Sequence, residues 1–153
     1  MNSSFTVEIV GKYSDAALQA FFHVGRCNGV GKGLVLSSRS STFDFAFCGG
    51  YDYRFGDWNL YGNKNIIMDW IYDNGYRYVY ANNTLIGQQS SDPMTVEYNF
   101  FILGKHIGSS DDVTTSGGWS VDGKYYAIRV YNRRLSTSEI QYNYNIDKER
   151  FNI

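Results

Sequence analysis

Apolar and polar residues alternate with a period of two along most of this chain. Phe5, Val7 and Ile9 stand against Thr6 and Glu8, and Phe43, Phe45 and Phe47 stand against Asp44 and Ala46. That is the pattern of half-buried strands, with one face on a core and the other face wetter. Further strands are expected over 20–27, 33–38, 65–72, 76–80, 98–103 and 124–131, separated by clusters of Gly, Asn, Asp and Ser. Asp73-Asn74-Gly75 joins two of them, and Asn82-Asn83 leads into the short run Thr84-Leu85-Ile86. Both sequences tolerate positive φ in tight hairpin turns, and such short connections require antiparallel neighbours. The single proline, Pro93, falls in the loop from Gln88 to Met94, so every expected strand can donate its full ladder of backbone hydrogen bonds.

The pattern changes once. Ser136-Thr137-Ser138-Glu139 has the spacing of a capping box, and Leu135 before it and Ile140 after it are placed for a hydrophobic staple. A short helix is expected over about residues 137–144. The elements together predict an all-β, antiparallel, two-sheet jelly-roll sandwich with one short C-terminal helix.

With 153 residues the chain fits one domain, spanning 1–153, and 43% hydrophobic with 18% aromatic content is ample for a packed core. The net charge is -1, and no basic run is longer than Arg133-Arg134. A phosphate backbone would find little to bind, so no nucleic-acid partner is expected. No stretch reaches the ~18 consecutive apolar residues that a membrane span needs, so no membrane partner is expected either. Met1-Asn2-Ser3-Ser4 leads into the strand pattern without a signal-peptide apolar region. This start is expected of a domain excised from a larger protein. If 20–27, 33–39 and 43–48 form a meander, Cys27 and Cys48 lie at the same end of its outer strands, roughly 10 Å apart across the middle one. They are therefore expected to be free thiols.

The run from Gly123 to Ser136, GKYYAIRVYNRRLS, followed by Glu139-Ile140 and Asn143-Tyr144, resembles the C-terminal signature of laminin G-like domains, within the concanavalin A-like lectin/glucanase superfamily. Ser4-Phe5-Thr6-Val7-Glu8, Tyr72-Asp73-Asn74-Gly75 and Val79-Tyr80-Ala81-Asn82-Asn83 agree with it in order and spacing. The resemblance implies two antiparallel sheets packed face to face, in a superfamily of lectins, carbohydrate-binding modules, adhesion modules and some glycanases. It also implies an extracellular, cell-surface or virion setting. Fold alone does not choose among those functions.

Glycoside hydrolysis needs two carboxylates flanking the bond, and the glucanases of this superfamily carry theirs in a Glu-x-Asp-x-x-Glu run. Glu8, Glu97, Glu139 and Glu149 are the only glutamates, and none begins such a run. Asp69 and Asp73 share a strand face but read more simply as a polar face and a turn residue. No nucleophile-elbow or cysteine-protease signature surrounds Cys27, Cys48, His23 or His106. The chain is thus not expected to be an enzyme. His23-x-x-x-Cys27 supplies only half of a zinc site, and packed or solvated side chains account for it more simply. No cofactor is required. Calcium is the metal worth considering, because the resemblance includes calcium-holding domains and Ser109-Ser110-Asp111-Asp112 is an oxygen-rich loop, with Asp111 and Asp112 as the ligands.

Between Gly49 and Gly62 the chain places five aromatics, Tyr51, Tyr53, Phe55, Trp58 and Tyr61, among glycines and hydrogen-bonding side chains. Sugar recognition uses this combination, with rings stacking on the apolar faces of the sugar and Asp, Asn or Arg bonding its hydroxyls. The candidate ligand-binding residues are Tyr51, Tyr53, Asp57, Trp58, Asn59 and Tyr61, with Trp119 as a further edge. Trp58 and Tyr61 are expected to stack, and the glycines at 49, 50, 56 and 62 to allow a ligand close approach. Core packing of Tyr53, Phe55 and Trp58 is the plainer alternative. The expected function is non-catalytic binding of a glycan or glycosylated surface. The alternative is a structural or protein-interaction domain of a phage or bacterial surface protein.

Overall fold

The alternation along the chain resolves into strands β1 (Ser4–Tyr13), β2 (Leu18–Gly25), β3 (Gly33–Arg39), β4 (Thr42–Phe47), β5 (Tyr51–Phe55), β6 (Asn65–Asp73), β7 (Tyr76–Ala81), β8 (Thr84–Ser90), β9 (Phe101–Leu103), β10 (Lys105–His106), β11 (Trp119–Ser120) and β12 (Gly123–Tyr131), followed by helix α1 (Thr137–Phe151). The structure, a computed structural model, describes residues 4–15, 18–91, 95–96, 100–107 and 119–153, with Tyr51 described by its backbone alone. A first sheet has the order β12-β1-β6-β7-β8 and a second the order β5-β4-β3-β2-β9, with β10 and β11 forming a two-stranded ribbon. Every pairing is antiparallel. This is the jelly-roll sandwich that the sequence predicts.

The core lies between the sheets. Val7, Ile9, Met68, Trp70 and Val79 of the first sheet meet Leu34, Leu36, Phe43, Phe45 and Phe47 of the second. Burial of side chains this large contributes about 1.5–3 kcal/mol each. Arg77 also enters the interior, with its guanidinium 3.8 Å from the Phe47 ring centroid and 4.4 Å from that of Tyr53, and it donates to the Phe45 carbonyl.

Three expectations need correction. The polar faces of β1 and β4 are not wet: Thr6, Glu8 and Asp44 are fully buried, because α1 covers one outer face and the β10–β11 ribbon covers part of the other. The helix runs to Phe151 rather than to about 144. Only Ile140 and Asp147 of α1 are buried, so its later turns carry no apolar stripe. They are held instead by Arg129, which bonds Asp147, and by Asn65, whose side-chain amide donates to the carbonyls of Phe151 and Asn152. The capping box forms in full, and Leu135 and Ile140 pack with Ile71 and Tyr80 beneath the helix.

The third correction concerns the cysteines, which are joined as a disulfide with 4.9 Å between their Cα atoms. Strand β2 ends at Gly25, whose φ of 71° turns the chain, so Cys27 is not a strand residue. The loop after it folds back over the start of β3, where the Gly31 N–H donates to the Cys48 carbonyl and the Cys48 N–H to the Gly33 carbonyl. That fold-back carries Cys27 across the intervening strand to Cys48.

Candidate functional site

On the second sheet, Leu34, Leu36, Phe43, Phe45, Phe47 and Phe55 face the core. Their strand neighbours Val35, Ser37, Arg39, Asp44, Ala46, Asp52 and Arg54 therefore face outward. Cross-strand register sets Ser37 opposite Asp44, Asp44 opposite Arg54, and Ala46 opposite Asp52. The β10–β11 ribbon lies against this face, and Trp119 packs on Ala20, Val35, Ala46 and Cys48.

Planar groups stack there in sequence. The rings of His23 and His106 lie 4.9 Å apart at 16°, and those of His106 and Trp119 lie 4.7 Å apart at 27°. The Arg39 guanidinium stands over the Trp119 ring at 5.2 Å and bonds Asp52 at 3.1 Å. Arg39, Asp44, Asp52, His106 and Trp119, with the disulfide, enclose a cavity of about 160 Å³. That is below the ~300–1,000 Å³ of sites for drug-sized ligands, so it suits one terminal group rather than an extended chain.

Asp44 is buried, and desolvation followed by the nearby Asp52 charge raises its pKa to about 6, against the opposing pull of Arg39, Arg54 and Ser37. Its Oδ2 accepts from the Ser37 hydroxyl at 3.3 Å, while its Oδ1 has no hydrogen-bond partner among the described residues. Burial lowers the pKa of His106 and, with the adjacent His106 charge, that of His23 to about 4. Burial thus favours the neutral form of both imidazoles, and Arg39 and Arg54 bring positive charge to this face.

Of the candidates between 51 and 61, Tyr53, Asp57, Trp58, Asn59 and Tyr61 do not come together, and the side chain of Tyr51 lies outside the described residues. Trp58 is fully buried against Phe21 and Phe43, with its backbone N–H donating to the Ser41 carbonyl, so it plugs the end of the sandwich and cannot stack on a ligand. Tyr53 points inward to Arg77, and Tyr61 lies edge-on to Phe43 at 5.5 Å. Asp57 caps the single 3₁₀ turn that follows by accepting from the Asn59 N–H at 2.9 Å, and both residues are exposed. The glycines serve the chain rather than a ligand. A Cβ on Gly49 would meet the Gly29 backbone at 2.8 Å, and one on Gly62 would meet the Asp15 Cα at 2.8 Å. Trp119 does line the cavity. Asp111 and Asp112 lie outside the described residues. Arg39, Asp44 and His106 are not among the binding residues expected from the sequence, and neither are Asp52 and Arg54, although both fall within the 51–61 segment. Strict alternation through 51–55 places Asp52 and Arg54 opposite Tyr53 and Phe55, and that was the available signal.

The carboxylates of the first sheet sit in a different setting. Glu8 and Asp69 are cross-strand partners, fully buried under α1. Burial and the Glu8 charge push the Asp69 carboxyl well above the usual range. Glu8 accepts from Arg129 and from Asn143 of α1, and Arg129 bonds Asp147 at 2.6 Å. This network docks the helix and presents no carboxylate to a substrate. Asp73, at the strand end, is partnered by Ser4 and Arg134.

No protein-family model matches the chain, and no curated protein matches it in sequence. Solved structures do match. The CBM40 module of the Ruminococcus gnavus IT-sialidase, solved with α2,3 sialyllactose, superposes with a TM-score of 0.73 at 16% identity, over 90% of this chain and 80% of that one. The NanB sialidase of Streptococcus pneumoniae gives 0.73 at 16%, over 92% of this chain but only 24% of the sialidase. The binding domain of botulinum neurotoxin serotype D/C gives 0.67 at 16%, over 95% of this chain and 37% of that one. At these identities the likeness is one of fold: the chain is an antiparallel jelly-roll sandwich of the lectin-like kind.

Proposed function

We propose that this domain is a non-catalytic carbohydrate-binding module that holds a terminal, acidic sugar residue on the outer face of its second sheet. The observation that carries the reading is Arg39, fixed over Trp119 and against Asp52 on the wall of a cavity sized for one terminal group. A guanidinium presents a planar fork of donors suited to a carboxylate, and a ligand carboxylate would take the place of Asp52. Arg54, outward on β5, adds positive charge to the same face, and Trp119 supplies apolar surface beside Arg39.

The fold neighbours support this class of ligand. The Ruminococcus gnavus module is described with α2,3 sialyllactose, and the type C botulinum neurotoxin with two ganglioside molecules. Hydrolysis fits the same face poorly, since Asp44 is fully buried and Asp52 is paired with Arg39. The laminin G-like resemblance of the C-terminal run and the disulfide both favour an extracellular or virion-surface setting. Calcium held by Asp111 and Asp112, which lie outside the described residues, is a separate part of the proposal.

The test is a glycan array probed with the oxidised domain, with and without calcium. Binding concentrated on sialylated or other carboxylate-bearing termini is expected. Binding to neutral glycans alone, or to none, would remove the reading.

A further inference from the structure

His23, Cys27, Cys48 and His106 form a cluster whose donor atoms all lie within 4.8 Å of one another. Cys27 Sγ is 3.4 Å from His106 Nε2 and 3.9 Å from His23 Nε2. Four elements supply them: β2 gives His23, the fold-back loop Cys27, the end of β4 Cys48, and β10 His106. In a tetrahedral zinc site, with Zn–S near 2.3 Å and Zn–N near 2.0–2.1 Å, neighbouring donors stand about 3.3–3.8 Å apart. The 3.4 Å separation falls within that range, and the 3.9 Å separation lies just above it.

We propose that the reduced form of this domain binds one zinc ion through His23, Cys27, Cys48 and His106, so that the two sulfurs serve either a disulfide or a metal, never both. Two thiolates balance the ion's charge, and two neutral imidazoles complete the shell, so the centre as a whole is uncharged. That matters because His23 and Cys48 are buried, and an uncompensated charge at such depth is costly. Cys27 and His106 are half-buried and border the cavity beside Arg39 and Trp119, which gives the ion an entry path. Ligation of His23 through Nε2 puts its proton on Nδ1. The long 3.4 Å contact from the Ile107 N–H to Nδ1 then opens.

The chemistry balances with an external phosphine as reductant. Phosphine and water give phosphine oxide, two electrons cleave the Cys27–Cys48 bond, and two protons complete the thiols. Zinc then displaces both thiol protons to the buffer.

The experiment uses the whole domain, reduced with a phosphine, desalted without oxygen and titrated with zinc against a chromophoric chelator. Expected are one zinc per chain, two protons released at a pH where both thiols are protonated, and no tight site in the oxidised protein. Cobalt added instead of zinc should give the thiolate charge-transfer and intense visible bands of a tetrahedral site. The double variant Cys27→Ser/Cys48→Ser should bind zinc at least about 100-fold more weakly, and His106→Gln at least about 10-fold more weakly. Folded reduced protein without a stoichiometric site would overturn the proposal, as would a double variant that binds equally well. If reduction unfolds the domain, zinc must restore its circular dichroism, and failure to do so also sinks the proposal.

Discussion

The two outer faces of this sandwich solve the same problem in different ways. Each bears polar side chains that become buried when something covers the sheet. On the first sheet α1 lies down fully and four of the polar groups are fixed to one another: Arg129 reaches both Glu8 and Asp147, and Asn143 closes on Glu8, while burial pushes the neighbouring Asp69 carboxyl toward its protonated form. On the second sheet the β10–β11 ribbon covers only part of the face and leaves a cavity. There the paired groups, Arg39 and Asp52, keep about a third of their side-chain surface exposed. A polar group committed to a buried partner has little left for a ligand, while an ion pair open to water is cheap to exchange. The first face is therefore structural, and the second is the face proposed to bind.

The sharpest way to break this contrast is to remove a partner from the closed face. Glu8 and Asp147 are almost inaccessible, so Arg129→Met strands buried carboxylate charge and should cost about 3–5 kcal/mol in urea denaturation. A loss below about 1 kcal/mol would mean that the network is not holding the helix. Reduction of the disulfide acts next. The bond closes a loop of sequence separation 21, which corresponds to roughly 3 kcal/mol in the chain-entropy account. A clear fall in melting temperature under reductant with a chelator present is expected, and an unchanged midpoint would restore the free-thiol expectation.

The open face carries a smaller, pH-dependent cost. Asp44 is held near a pKa of about 6, against the ordinary aspartate value of 3.8. The folded state thus retains a proton that the unfolded state has released. Stability should fall as pH rises from about 4 to about 6, by roughly 2–3 kcal/mol in all from this group. Asp44→Asn should flatten that slope in denaturation midpoints taken across the range, and an unaltered slope would show that Asp44 is ionised throughout.

Much of the fold was legible because it rests on local rules. Strand alternation, the Asp73-Asn74-Gly75 turn and the Ser136–Glu139 capping box each specify structure within a few residues. The site was less legible because it depends on what covers each face. Trp58 looks like a ligand-stacking ring until Phe21 and Phe43 close on it. Asp52 and Arg54 look like neighbours of Tyr53, yet alternation sends them to the other side of the sheet. Cys27 and His106 are separated by 79 positions, and no local spacing announces that a loop and a ribbon will bring them together with Cys48 and His23.

The central claim is that the open face binds through Arg39, and calorimetry on Arg39→Ala with α2,3-sialyllactose and with lactose tests it most directly. Arg39 and Asp52 form a partly exposed ion pair, so the variant should lose no more stability than is expected of surface pairs, ~0–1 kcal/mol. The account predicts measurable binding of sialyllactose by the native domain, little of lactose, and a loss of at least about tenfold in the variant, which corresponds to about 1.4 kcal/mol. Undiminished sialyllactose binding by a folded Arg39→Ala domain would contradict it.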